Sequence, residues 1–261
     1  HFAIWHDPHP KPSYLFAVVA GDFVSLTETY TATNGREHLL AIHLPKQYPL
    51  TQAQVAMNAL KQAMHWDEVT YGCFYDLDAF HVVAMPDFNF GAMENKGLNI
   101  FNTSALLADP AVATDASHLR VHTVVGHEYF HNWTGNRVTV RDWFQISLKE
   151  GLTTYREMRF GMATYGPIAR LDYIFDLVER QFAEDSGPSA HELLPKSAHS
   201  IENLYTATTY TKGAEVLRML EDLLGHDQAI AAVKAYLAKF DGQAATIQDF
   251  LAVVAETAGM D

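Results

Sequence analysis

The sequence predicts an α+β fold, a small β-sheet lobe followed by a mainly helical lobe. Two observations carry this. β-branched and aromatic runs bounded by turn signals fill the first third of the chain, whereas apolar residues recur at helical spacing from Ser117 onward. Strands first and helices afterwards is the order of an α+β domain rather than of an alternating parallel fold. A third observation says where the chemistry lies. Val125-Gly-His-Glu-Tyr-Phe-His-Asn-Trp133, inside the helical part, carries a His-Glu-x-x-His pattern.

Residues 1–44 read as β-structure. Trp5-His-Asp-Pro-His-Pro-Lys-Pro12 is a proline-rich approach, and 14–20 is a short apolar run that ends at Gly21-Asp22. Runs 24–33 and 37–44 should pair across Asn34-Gly35, a strong hairpin signal. Residues 51–66 read as a helix, with Thr51 as N-cap and Val55, Met57, Leu60 and Met64 on its apolar face. Run 79–85 is a further strand, stopped by Pro86. Beyond it Gly91 and Gly97 flank Glu94 in a strand-like setting, where glycines let a ligand backbone approach an edge strand. The Glu94 carboxylate there needs a cationic partner. Asp115 or Ser117 can cap a helix that runs to about Gly135, and Asp142 can cap the next, which carries Glu150 and ends near Gly161. Later helices cover about 168–182, 207–224, 227–240 and 247–258, with a polar loop at 183–203. No internal repeat or low-complexity tract occurs.

On a helix, His127 and His131 project from one face and can grip a single metal ion. Glu128 then lies beside the metal without coordinating it, where a carboxylate can take a proton from water. Glu150, on the following helix, completes two His and one Glu, an established catalytic zinc set that leaves a fourth position open. His81 has no partner at ligand spacing and reads as a sheet histidine. His118 and His122, on the motif helix, also read as structural, and His191 and His199 fall on the polar loop.

Composition narrows the classes. The chain of 261 residues can bury enough surface for one large domain or two small ones, and 48% hydrophobic with 19% charged residues argues against disorder. A net charge of −13 with only 18 Lys and Arg disfavours nucleic acid as a partner. Cys73 is the single cysteine, which suits packing and a reducing, cytoplasmic compartment. No run reaches the apolar length that crosses a bilayer, so no membrane partner is expected. The start His1-Phe-Ala-Ile-Trp-His-Asp7 lacks a signal-peptide pattern and begins without Met, and the chain reads as a piece of something longer.

Gly91-Ala-Met-Glu-Asn95, His127-Glu-x-x-His131 with Glu150, and Tyr210 within Thr209-Tyr-Thr-Lys-Gly-Ala-Glu215 carry a resemblance that also takes in Trp5 to Pro12 and Phe182-Ala-Glu-Asp185. Over nearly the whole chain the sequence resembles the zinc aminopeptidases of the aminopeptidase N family, in the gluzincin group, and in detail its bacterial branch. The resemblance implies a thermolysin-like fold with the active site between sheet and helices. It implies that 1–23 is the tail of an upstream β-domain and 24–261 the catalytic domain, its C-terminal end open to truncation. One Zn2+ per chain would be held by His127, His131 and Glu150, with Glu128 as general base and Tyr210 donating to the oxyanion. Glu94 would bind the substrate's free α-ammonium group, and Gly91, Ala92, Met93 and Phe90 would line the substrate site.

The implied activity is hydrolysis of the N-terminal residue from peptides with a free N-terminus, a step in peptide catabolism. The implied partners are the flanking domains, of which the upstream one supplies a second acidic residue to the ammonium site. Phe90 stands where close bacterial relatives often have Met, and its rigid ring should reshape the first side-chain pocket. Without the resemblance Glu94 reads as a surface carboxylate and Tyr210 as a buried aromatic; Asn95 reads as structural either way. Two rivals are a thermolysin-like endopeptidase, which would not depend on Glu94, and a non-catalytic metal-bearing fragment. Epoxide hydrolysis, known in one related branch, is a distant third.

Overall fold

A computed structural model describes residues 4–260. His1, Phe2 and Ala3 of the stretch read above for a signal pattern lie outside the described residues, as does Asp261. The sheet begins with a hairpin: β1 (Phe23–Thr31) and β2 (Glu37–Pro45) pair antiparallel from Phe23↔Pro45 to Thr31↔Glu37. The turn needs its glycine, because Gly35 adopts φ 85°, in the left-handed region. Helix α1 (Gln54–Tyr71) then crosses the sheet, and β3 (Ala79–Met85) lies parallel to β2. The two-residue β4 (Ala92–Met93) and β5 (Leu98–Asn102) complete the order β1-β2-β3-β5-β4, with β5 parallel to β3 and β4 antiparallel at the edge. The sheet is thus mixed, with a β–α–β crossover inside an α+β domain.

The one-turn α2 (Thr103–Leu106) leads to α3 (Asp115–Phe130), and the helical lobe follows: α4 (Ile146–Tyr165), α5 (Arg170–Asp176), α6 (Phe182–Asp185), α7 (Gly213–Leu224), α8 (His226–Phe240) and α9 (Ile247–Ala258). A small parallel pair, β6 (Thr139–Val140) and β7 (Ala244–Ala245), staples the start of this lobe to its end. One core lies between the sheet and the helices α1 and α3, where Leu40, Ile42, Met57, Leu60, Val82, Val125 and Phe130 are buried. A second joins α4 to α7, α8 and α9 through Leu152, Tyr155, Val233, Tyr236 and Phe250. No helix among the described residues is long and apolar enough to cross a membrane. Cys73 is buried packing, as its setting suggested.

Several local expectations are corrected. The 14–20 run forms no strand: Ser13–Leu15 is a 3-10 turn that buries Leu15, while Phe16 and Val18 stay 73% and 76% exposed. Its one ladder-like contact is the Lys96 amide donating to the Leu15 carbonyl at 3.2 Å, beside the packing of Leu15 and of the Tyr14 ring against Trp143. Thr51 lies within a 3-10 turn, Leu50–Ala53, and caps nothing with its side chain. The cap of α3 is Thr114, whose hydroxyl accepts from the Ser117 amide at 3.2 Å; Asp115 falls in the first turn, where its charge meets the positive end of the helix dipole. That helix stops at Phe130 rather than Gly135, and the Phe130 carbonyl accepts from the Thr134 amide at 3.1 Å and from the Arg156 guanidinium at 2.9 Å. Helix α4 passes Gly161 and ends at Tyr165, before Gly166 and Pro167. The helices expected at 168–182 and 207–224 are interrupted by single π-helical turns at Leu177–Gln181 and Thr208–Lys212.

Candidate active site

The site forms where the C-terminal turn of α3 meets the first two turns of α4 beneath the edge of the sheet. Nε2 of His127 and Nε2 of His131 are 2.9 Å apart, because the i,i+4 spacing places both rings on one helix face, edge to face at 80°. Glu150 reaches them from α4: its Oε2 is 3.0 Å from Nε2 of His131 and 3.4 Å from Nε2 of His127. All three residues are buried. Tetrahedral zinc at usual bond lengths spaces its ligand atoms at about 3.3 Å, so the donor set fits that ion. Oε2 of Glu150 and Oε2 of Glu128 are buried without hydrogen-bond partners, which also fits a cation that is held there.

The rings of His127 and His131 are held from behind. Nδ1 of His131 contacts the Thr134 carbonyl at 2.8 Å, and Nδ1 of His127 contacts Oε2 of Glu157 at 2.9 Å. Burial alone would strip the proton from His127, but Glu150 and Glu157 outweigh it and raise its pKa well above the usual value. A metal bound at Nε2 must displace a proton there.

Glu94 lies just after β4, in the connection that turns through Gly97 at φ 74°. Its donor oxygen, one from Glu128 and a nitrogen of His131 lie within 4.8 Å of one another. The cationic partner that its sequence setting called for is internal: Lys149 donates to Oε1 of Glu94 and lies 3.0 Å from Oε1 of Glu150. Burial pushes the Glu94 carboxyl up, but Lys149 and His131 more than reverse this and keep it an anion. Lys149 is buried, and its stem fills the space that a side chain at Gly135 would take, only 2.8 Å from a Cβ built there. Asn136 completes the support by donating to the Glu94 carbonyl at 3.0 Å.

Glu128 has the opposite electrostatics. Burial raises its pKa to about 8, with Glu94 and Glu150 adding to the shift and His127 opposing it. A divalent cation at the adjoining ligands would favour the anion and draw this value down. Tyr210 stands on the Thr208–Lys212 π turn with its ring 6.0 Å from that of His127. Burial and the three carboxylates hold its hydroxyl protonated, a ready hydrogen-bond donor.

The substrate-side residues follow along the edge strand. Ala92 and Met93 form β4, Gly91 faces open space, and Phe90 is 54% exposed with its ring 6.2 Å from Tyr205. Three histidines outside the site make side-chain contacts of their own. His81 meets His43 at 3.0 Å, His122 meets Gln62 at 3.0 Å, and His191 meets Thr206 at 2.7 Å. Asn95 reaches the Tyr14 carbonyl at 3.4 Å.

The comparisons with known proteins agree with this geometry. The model of the peptidase family M1 domain matches residues 55–261. The chain belongs to peptidase family M1. Among M1 relatives, the aminopeptidase N of Caulobacter vibrioides is 51% identical over 263 residues, and that of Escherichia coli 47% identical over 262. Each alignment spans 100% of this chain but 30% of the relative, so the chain covers under a third of the length of these proteins. The crystal structure of Legionella pneumophila aminopeptidase A in complex with aspartic acid superposes with a TM-score of 0.87 at 37% identity, over 98% of this chain and 29% of that one. An α+β, thermolysin-like M1 catalytic fold is what these observations share.

Sequence reasoning did not single out Lys149, Glu157, Tyr173, Asn136 or Tyr14. For two of them a signal exists. Lys149 immediately precedes Glu150, and Glu157 follows Glu150 by two helical turns on the same face of α4. Tyr14, whose ring lies under the Lys149 ammonium at 5.2 Å, carries no such local signal because it arrives from the far end of the chain.

Proposed function

We propose that the protein of which this chain is part is a zinc metallo-aminopeptidase that removes the N-terminal residue from peptides. The observation that carries the reading is the convergence of Glu94, Glu128 and His131 donor atoms within 4.8 Å, which sets an amine-binding carboxylate beside the ligand triad. His127, His131 and Glu150 would hold the zinc ion, which supplies Lewis acidity and an acidified water at its open position. Glu128 accepts the proton of the attacking water and returns it to the leaving amine. The Tyr210 hydroxyl donates to the oxyanion that develops on the scissile carbonyl. Glu94 fixes the substrate's α-ammonium by a charge-assisted hydrogen bond, so the register of cleavage is one residue from the free end. Gly91, Ala92 and Met93 offer the edge strand β4 to the substrate backbone, and Phe90 walls the first side-chain pocket together with Tyr205.

Support comes from relatives named aminopeptidases and from the Legionella protein, whose structure holds aspartic acid, a free α-amino acid. Family membership and these names give the endopeptidase and non-catalytic alternatives no support. Flanking domains are the natural partners, given relatives more than three times as long, and the first 23 residues serve as the link to an upstream domain. The lone buried Cys73 suits a cytoplasmic protein.

The reading is tested by substituting Glu94→Gln in the full-length protein. Losing one charged hydrogen bond of about 1.5–3 kcal/mol lowers kcat/KM for free-amine substrates by roughly 10–150-fold with zinc content unchanged. Unchanged kcat/KM would remove Glu94 from the amine site.

A further inference from the structure

We infer that Glu157 and Tyr173 form a positioning pair that locks the imidazole of His127, so that two residues outside the ligand set govern how firmly the metal is held. The inference rests on the reading of His127, His131 and Glu150 as the zinc ligands. Glu150 and Glu157 lie two turns apart on one face of α4, and they reach His127 from opposite edges of its ring. Oε2 of Glu150 is 3.4 Å from Nε2, and Oε2 of Glu157 is 2.9 Å from Nδ1. An imidazole that offers a lone pair at Nε2 carries its proton at Nδ1, and a carboxylate accepting from Nδ1 fixes both that tautomer and the ring plane.

Glu157 is itself fixed. Its Oε1 accepts from the Tyr173 hydroxyl at 2.9 Å, so each carboxylate oxygen is bonded and the group cannot swing away from the ring. Among the described residues Glu157 has no Lys or Arg partner, which distinguishes it from the acidic residues that serve ion pairs in the fold. The two ligand histidines therefore differ. Nδ1 of His131 meets the Thr134 carbonyl at 2.8 Å, which no side-chain change removes, with the Thr153 hydroxyl farther off at 3.2 Å, whereas His127 depends on a side-chain relay alone.

The relay also has a reach. Tyr173 belongs to α5, and the last residue of that helix, Asp176, accepts from Thr211, the neighbour of Tyr210 on the π turn. One short helix thus braces a metal ligand at one point and the oxyanion tyrosine's turn at another. A shift of α5 would loosen both together, which gives the Tyr173 contact a role that its distance from the substrate conceals.

The test uses the full-length protein and the variants Glu157→Gln, Tyr173→Phe and the double substitution. Zinc affinity is measured by competition with a chromogenic chelator. The parent and variants are also compared by the visible spectrum of the cobalt-substituted form, by kcat and KM at saturating zinc, and by the melting temperature of the metal-free protein. A glutamine amide can present a donor to Nδ1 and so favours the wrong tautomer. Glu157→Gln is expected to weaken zinc binding about 10–100-fold, to shift the cobalt spectrum, and to lower kcat more than it changes KM. Tyr173→Phe should give a smaller loss in the same direction, and none further when added to Glu157→Gln. Parental zinc affinity and an unchanged cobalt spectrum in Glu157→Gln, with only a lower metal-free melting temperature, would overturn the proposal and leave Glu157 a structural residue. A parent that binds no zinc would instead overturn the ligand set on which the proposal stands, an outcome read before any variant is compared.

Discussion

Glu128 and Glu94 are carboxylates a few ångströms apart, and their surroundings push them in opposite directions. Glu128 is buried with an unpartnered Oε2 and a pKa raised to about 8, while Glu94 is held anionic by the Lys149 ammonium. Separation of this kind gives neighbouring acids different tasks, one to exchange a proton and one to hold a charge. Glu128→Ala is expected to lower kcat by at least ~10²–10⁴-fold while zinc content stays at one per chain, and His131→Ala to lose both activity and metal. Kinetics paired with metal analysis decide this, and a Glu128→Ala protein with parental kcat would sink the assigned role. Tyr210→Phe should cost ~10²–10³-fold in kcat with little change in KM, the mark of a donor used only in the transition state. The candidate ligands His127, His131 and Glu150, and Glu128 beside them, were legible because their spacing is local, within one helix and the start of the next. Glu94 was legible from its motif. Lys149 was not, because its pairing with Glu94 joins residues 55 positions apart and only the fold brings them together.

Among the elements, α4 and α7 matter most, because one carries Glu150 and the other follows directly from the turn that carries Tyr210. They touch through glycines: a Cβ at Gly151 would stand 2.9 Å from the Gly213 Cα, so neither position has room for a side chain. Gly213→Ala forces the helices apart and should cost about 1–3 kcal/mol of stability. It should also lower kcat, since Tyr210 and Glu150 sit next to the two contact points. Denaturant unfolding and steady-state kinetics on the same variant test this, and a variant with parental stability would show that the backbones can yield without strain. Element existence was largely readable from periodicity, including the hairpin at Asn34-Gly35 and the strand 79–85. Boundaries were not, and each miss has a physical cause. Thr114, one residue upstream of Asp115 and three upstream of Ser117, wins because its hydroxyl reaches the Ser117 amide, and beyond Phe130 the chain leaves the helical register, the Asn136 amide donating to the His131 carbonyl at 3.0 Å. The π turn under Tyr210 has no sequence signature at all, since it keeps helical dihedrals and shifts only the hydrogen-bond register.

Across the molecule, the two cores are joined by a fully buried ion pair, Arg156 with Asp67, whose guanidinium lies 4.8 Å from the Tyr71 ring and 5.0 Å from that of Phe130. It links α1, the end of α3 and α4, and so supports from beneath the two helices that carry His127 and Glu150. Arg156→Met leaves the Asp67 carboxylate without its partner and should destabilise the protein by about 3–5 kcal/mol in denaturant melts. A bound ion should stabilise the same assembly, by about 2.7 kcal/mol when free zinc stands at a hundred times its Kd, so a chelator should lower the melting temperature. The measurement that bears most directly on function compares hydrolysis of an aminoacyl reporter with a free amine against its N-acetylated twin, using the full-length protein with and without chelator. Cleavage of the free amine alone, stopped by the chelator, is the result expected from Glu94 beside the metal ligands. Equal cleavage of both twins would contradict it, because a site that tolerates a blocked amine does not read the charge that Glu94 is there to hold.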